Sequence, residues 1–338
     1  MEQDAQTNEP TNEPTNEPLA TRVSSHDPEE APSVPTGSSL SASSPSSVDS
    51  PAPTDFPPPA DSPASTDSPS STSSPVSTGS PASPVRNRRI RARLIIVLSV
   101  VILLVAAGTG AVMYVSDYYH ADAIAQEAQA DAGSYAIDGI TVKTVDNMTA
   151  FIPENPIAGL VFYPGGKVEA QAYAPLMQAL AAHRILGVVC AMPLNLAVFD
   201  IDAAQRVQTA FLLDFPEVDA WYIGGHSLGG SMAADFVSKH ADDYTGLILL
   251  GSYATVDLSK LDLRVLCIYG ANDGVMNRAA YEQNFANLPA GSEEVVLEGG
   301  NHGQFGSYGY QAGDGEATIT PQEQWDQTAE IIAEWVLQ

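Results

Sequence analysis

The chain has 338 residues, a formal net charge of −27, 44% hydrophobic and 16% charged residues, and a mean hydropathy of −0.04. These averages hide unlike pieces: residues 1–85 hold 17 of the 25 prolines, 12 acidic residues and one basic residue, 86–93 hold five arginines, and 117–338 hold 8 basic and 29 acidic residues. That split excludes a two-domain soluble protein, and it excludes a nucleic-acid binder because no basic surface is available for phosphates.

Residues 1–85 open with three copies of Thr-Asn-Glu-Pro and continue as a Ser/Pro/Thr-rich stretch in which Phe56 is the only aromatic residue. Such a segment cannot bury enough apolar surface to offset backbone entropy of roughly 1–2 kcal/mol per residue. It reads as a disordered spacer, or as a tail whose Ser-Pro and Thr-Asp sites serve a kinase or a partner protein. Residues 94–116 carry no charge. A run of about 22 residues rising ~1.5 Å each spans about 33 Å, enough for a hydrocarbon core. A cleavable signal sequence would have a shorter apolar region close to the start of the chain. The arginines of 86–93 precede the span, and the first basic residue after it is Lys143. Positive charge stays cytoplasmic, so a single-pass cell-membrane protein is expected, with the tail inside and the C-terminal domain outside.

Residues 117–134 read as a juxtamembrane linker, with an Ala-rich helix over 118–132. The remainder, 135–338, alternates short apolar runs with amphipathic ones. Two short strands, 139–145 and 149–153, flank Asp146-Asn147. Further strands are predicted at 159–163, 187–190, 221–223, 247–250, 265–269 and 294–297. Helices are predicted at 173–184, 203–213, 227–240, 279–287 and 322–337. The last has a start signal, Thr320-Pro321 followed by Glu323, which is a capping box. Apolar strands separated by helices of this length imply βαβ units, and hence an α/β domain with a mostly parallel, doubly wound sheet covered on both faces.

The most informative segment is Gly225-His226-Ser227-Leu228-Gly229, a Gly-x-Ser-x-Gly between a predicted strand and a predicted helix. A sharp strand-to-helix turn exposes the serine hydroxyl, and small flanking residues let neighbouring backbone crowd the turn. Ser227 is therefore the candidate nucleophile. A serine needs a base held by a carboxylate. Of the six histidines, His26 lies in the tail, His120 beside the membrane, and His183 and His240 at helix ends. His226 adjoins the serine, with its side chain expected to point elsewhere. His302, in Gly299-Gly300-Asn301-His302-Gly303 after a strand, is the candidate base. Asp273, directly after the strand 265–269, is the candidate acid, with Asp257 as the alternative.

The chain order Ser227, Asp273, His302 is that of α/β-hydrolases. Over about 135–338 the chain resembles that superfamily, and more closely the small bacterial group called α/β-hydrolase fold-5, related to dienelactone-hydrolase-like proteins. The resemblance rests on Phe162-Tyr-Pro-Gly-Gly-Lys-Val-Glu-Ala-Gln-Ala-Tyr173, Met192-Pro-Leu-Asn-Leu-Ala197, the serine turn, Tyr269-Gly-Ala-Asn-Asp273 and Gly299-Gly-Asn-His-Gly-Gln-Phe-Gly306. Dienelactone enzymes use cysteine where this chain has Ser227. The resemblance implies an oxyanion hole from the backbone N–H of Leu228 and one from the loop Pro164–Lys167, Gly166 first and Lys167 second. Lys167 and Glu169 on that loop are expected to pair with each other or to touch substrate. Only about 14 residues separate the strands 247–250 and 265–269, which leaves no room for a lid and predicts a shallow, open site. By the superfamily's strand order Cys190 and Cys267 lie too far apart to bridge. No metal-ligand spacing or phosphate loop occurs, so neither metal nor cofactor is expected. The expectation is a membrane-anchored serine hydrolase acting on an accessible ester or related acyl compound, with thioester and amide left open as substrates. The alternative is a non-catalytic binding or scaffold module that keeps the fold.

Overall fold

The computed structural model describes residues 21–23, 85–130, 139–211 and 214–338. Apart from 21–23, the tail 1–84 lies outside the described residues, as do 131–138. Two compact units divide the chain: 28–106, and 1–27 together with 107–338. The first described helix, α1 (Val85–Ser116), contains the 27-residue apolar stretch Ile90–Ser116, long enough to cross a membrane and with its central window unburied. It forms because the run holds no proline and no charge beyond the arginines at its start.

The predicted juxtamembrane helix is shorter than expected. Asp122 caps α2 (Ala123–Gln129) by accepting from the Ala125 N–H. Residues 118–121 are not helical; Tyr119 instead bridges in parallel to Val168. The cap wins because Asp122 satisfies an otherwise free N–H at a helix start.

The sheet strands are β1 (Thr21–Val23), β2 (Ile140–Val145), β3 (Met148–Pro153), β4 (Ala158–Tyr163), β5 (Ile185–Cys190), β6 (Trp221–His226), β7 (Gly246–Leu250), β8 (Arg264–Gly270) and β9 (Glu293–Leu297), in the order β1-β9-β8-β7-β6-β4-β5-β3-β2. Strands β4 to β9 run parallel to one another, whereas β2 with β3, β3 with β5 and β1 with β9 pair antiparallel. Three residues of the tail, as β1, pair with the edge strand β9.

The helices are α3 (Ala174–Ala182), α4 (Ala203–Phe211), α5 (Leu228–Val237), α6 (Arg278–Asn284) and α7 (Pro321–Val336). The predicted α6 region breaks at Asn284 into a 3-10 turn over Phe285–Asn287. The capping box of α7 forms as expected, with Thr320 and Glu323 bonded reciprocally. Alternate strand residues feed two cores. Leu160, Phe162, Ile248, Leu250 and Ile268 pack with α2, α3 and α7. Val161, Tyr163, Leu247, Leu249 and Tyr269 pack with α4, α5 and α6. Burial on both faces is why β4, β6 and β7 read as near-continuous apolar runs. Between β7 and β8 the chain forms neither helix nor strand, so no lid is inserted there.

From β4 the chain winds outward to β5, then returns to the other side of β4 as β6. In an open parallel sheet the crevice at such a reversal, beyond the carboxyl ends of the strands, is where ligands bind. The loop after β4 and the turn after β6 both open there.

Candidate active site

Ser227 occupies the turn between β6 and α5, with φ 53° and ψ −123°. A non-glycine residue there is strained by roughly 1–3 kcal/mol. The surroundings hold it in place: its N–H donates to Leu250 O at 2.9 Å, and its carbonyl accepts from Ser252 Oγ at 2.6 Å. The flanking glycines are sterically required. A Cβ on Gly225 would lie 2.6 Å from Tyr163 O, and one on Gly229 would strike the carbonyls of Tyr163 and Pro164. Ser227 stands at the N-terminus of α5, where free N–H groups and the helix dipole favour negative charge.

Asp273 and His302 are brought together. His302 Nδ1 lies 2.7 Å from Asp273 Oδ2, and both side chains are 1% exposed. Asp273 Oδ1 accepts from the N–H groups of Val275 and Met276 at 2.9 and 2.8 Å. The carboxylate is therefore fixed and the shared proton sits on Nδ1, which leaves the lone pair on Nε2. That Nε2 is buried and has no hydrogen-bond partner. Asp257, the alternative acid, accepts from Ser259 N–H and Oγ in an exposed turn instead. Ser227, Leu228 and Gly166 are partly exposed, whereas His302 is buried.

His226 does more than adjoin the serine. Its ring lies 4.4 Å from that of His302, and its Nδ1 is 2.8 Å from the Tyr173 hydroxyl. Burial first, then the neighbouring His302, hold His226 well below the ordinary imidazole range, so it stays neutral. Tyr173 Oη also accepts from the Gly165 N–H at 2.9 Å. Its one proton therefore goes to His226 Nδ1. Tyr173 thus ties the loop after β4 to the serine turn.

In that loop the N–H of Gly165 is taken by Tyr173, that of Lys167 by Asn195 O at 2.7 Å, and that of Val168 by Gly165 O at 3.1 Å. Among the described residues the Gly166 N–H has no acceptor, and neither has that of Leu228. The two residues adjoin: a Cβ on Gly166 would lie 2.9 Å from Leu228 Cδ2. Lys167 does not pair with Glu169. Its Nζ reaches Asp117 at 3.1 Å, while Glu169 accepts from the Ala121 N–H at 2.9 Å. The cause is the parallel bridge at Tyr119, which lays residues 117–121 along the loop.

Three further supports carry no local sequence signal. Asp314 accepts from the N–H groups of His302, Gly303 and Gly274, joining the His302 loop to the Asp273 loop. Gln324 on α7 clamps Asn301 through two hydrogen bonds. Gly251, at φ +50°, leaves space beside the Asp273–His302 pair. Cys190 and Cys267 are free, buried and on β5 and β8, and burial pushes both thiols up to about 12. Among the described residues no group of three His, Cys, Asp or Glu side chains is placed to hold a metal ion.

Among solved structures, the chain is similar to TT1662 from Thermus thermophilus, with 16% identity over 58% of this chain and 98% of that one, at a TM-score of 0.43. It is also similar to a dienelactone hydrolase from Anabaena variabilis, with 15% identity over 59% of this chain and 98% of that one, at a TM-score of 0.45. No curated protein sequence matches it. Residues 159–326, from β4 into α7, match the model of the alpha/beta hydrolase family. That match, with the sheet order and the turn at Ser227, shows that this part of the chain is similar to the alpha/beta hydrolase family and adopts the alpha/beta hydrolase fold.

Proposed function

We propose that the domain is a serine hydrolase that cleaves a carboxylic ester, or a related acyl compound, through an acyl-enzyme. The observation that carries this reading is the buried, unpartnered Nε2 of His302, whose other nitrogen is held by Asp273. Leaving a buried polar atom unbonded costs roughly 1–3 kcal/mol, and an atom so placed is suited to a proton that arrives during reaction. Ser227 Oγ attacks the carbonyl carbon and its proton passes to Nε2. The carbonyl oxygen becomes an oxyanion held by the free N–H groups of Gly166 and Leu228. The leaving oxygen departs with the proton from Nε2. Water then attacks the acyl-serine, giving its proton to Nε2, and the acid leaves as Ser227 recovers the proton. Asp273 keeps the imidazole in the tautomer this sequence needs. Helix α1 is the proposed membrane anchor, placing the domain outside the cell and the tail in the cytoplasm.

A fluorophosphonate probe labels the full chain under this reading, and Ser227→Ala abolishes labelling and lowers kcat on p-nitrophenyl acetate roughly 10⁶-fold. An unlabelled, correctly folded wild type would mean that the domain binds without catalysing.

A further inference from the structure

We infer that the catalytic face docks on the outer leaflet of the membrane and takes its substrate there, an uncharged or zwitterionic amphiphilic ester. This inference rests on the serine-hydrolase reading. It starts from the way the chain leaves α1. Lys167 Nζ lies 4.6 Å from the Tyr114 ring centroid, in the last turn of α1, and 3.1 Å from Asp117. The Tyr119 N–H donates to Lys167 O at 2.7 Å, and the Glu169 N–H donates to Tyr119 O at 3.0 Å. Three residues later the Asp122 N–H donates to Ser307 O at 3.0 Å, in the loop that follows His302. Residues 117–122 are therefore not a slack stalk. They are bonded to the loop carrying Gly166 and to the loop beyond His302. Three extended residues reach only about 10 Å, so the oxyanion loop is held about that close to the end of the apolar helix. Tyr114, Tyr118 and Tyr119 are suited to the interfacial layer where such a helix emerges.

The segment after β5, bonded to that loop, carries an apolar rim. Asn195, whose carbonyl accepts from the Lys167 N–H, lies between Leu194 and Leu196, and Leu196 Cδ2 would be 3.7 Å from a Cβ on Gly166. On this segment Leu194 is 55% exposed, Val198 43% and Phe199 60%. Leu194 and Asn195 both have positive φ, so backbone strain is spent in holding this segment out. Three large apolar side chains in six residues gain by leaving water, and the membrane that holds the helix is the apolar medium within reach. It also resolves a mismatch. A domain without a lid between β7 and β8 cannot enclose a long acyl chain, but a chain left in lipid needs no enclosure. Charge narrows the class: Lys167 is neutralised by Asp117, and residues 117–338 hold 29 acidic against 8 basic residues. Anionic head groups are repelled.

The test uses the full chain in phosphatidylcholine vesicles. In Phe199→Trp, the emission added over wild type shifts to the blue, is quenched by phosphatidylcholine brominated on its acyl chains, and is insensitive to aqueous iodide. In Leu194→Asp/Phe199→Asp, the ratio of turnover on a bilayer-embedded long-chain fluorogenic ester to that on p-nitrophenyl acetate falls roughly tenfold, the scale set by removing two apolar contacts. Iodide quenching without bromolipid quenching, alongside intact acetate hydrolysis, overturns the docking and leaves the serine hydrolase standing. Bromolipid quenching with neither ester hydrolysed overturns the hydrolase reading, and the ester as substrate with it.

Discussion

Gly251 shows how closely the site is fitted at the scale of one residue. Its φ of +50° disfavours any side chain, and a Cβ there would lie 2.9 Å from His302 Nδ1 and 3.2 Å from Asp273 Oδ2. Gly251→Ala therefore wedges the Asp–His pair apart. The backbone penalty is about 1–2 kcal/mol, which a melting curve reads. Displacing the base costs far more in rate: kcat on p-nitrophenyl acetate falls roughly 10²-fold. A variant with wild-type kcat would show that the pair tolerates displacement and that its geometry is not limiting. Neither Gly251 nor Tyr173 was legible in the sequence. Ser227, Asp273 and His302 each sit in a Gly-rich turn directly after an apolar strand, a context that local pattern reveals. Tyr173 is one of 13 tyrosines, and only the fold brings it to Gly165 and His226. Asp314 is selected in the same way, by loops some 10 to 40 residues away in the chain.

At the scale of elements, the parallel strands were legible because burial on both faces makes them apolar throughout. Their partners and the exit from α1 were not, since Tyr119 and Val168 pair across about 50 residues. One element conflicts with the expected topology. β1 pairs with β9 across Thr21↔Val296 and its neighbours, yet a tail on the cytoplasmic side cannot reach a domain outside. Magnitudes decide between them. A three-residue edge strand gains a few hydrogen bonds worth about 0.5–1.5 kcal/mol each. Leaving the side chains from Leu94 to Val105 in water, where most are more than half exposed, forfeits on the order of tens of kcal/mol. Under the proposed anchoring insertion wins, and β1 is expected to leave the edge of β9 when α1 enters a bilayer. Protease added to intact cells should then remove the domain and spare an epitope placed before residue 21. Loss of that epitope together with the domain would put both on one side and refute the single-pass arrangement.

For the whole molecule, charge is partitioned along the chain more sharply than structure is. The arginines cluster before the apolar helix, and residues 117–338 keep a net charge of about −21. A field of that size acts on a substrate before any contact forms, because the screening length is about 30 Å at 0.01 M salt. A negatively charged ester approaching Ser227 is opposed at low salt and released from that opposition as salt rises, since the screening length drops to a few ångströms near 1 M. An uncharged ester of the same acyl chain feels neither effect. Between about 0.01 M and about 0.5 M salt, KM for an anionic ester should therefore fall while kcat holds, and KM for its neutral counterpart should stay level. The contrast isolates electrostatics from any general effect of salt on the fold, which would move both substrates together. Parallel responses of the two esters would mean that the acidic residues lie away from the path to Ser227. The site would then owe its choice of substrate to the apolar rim alone.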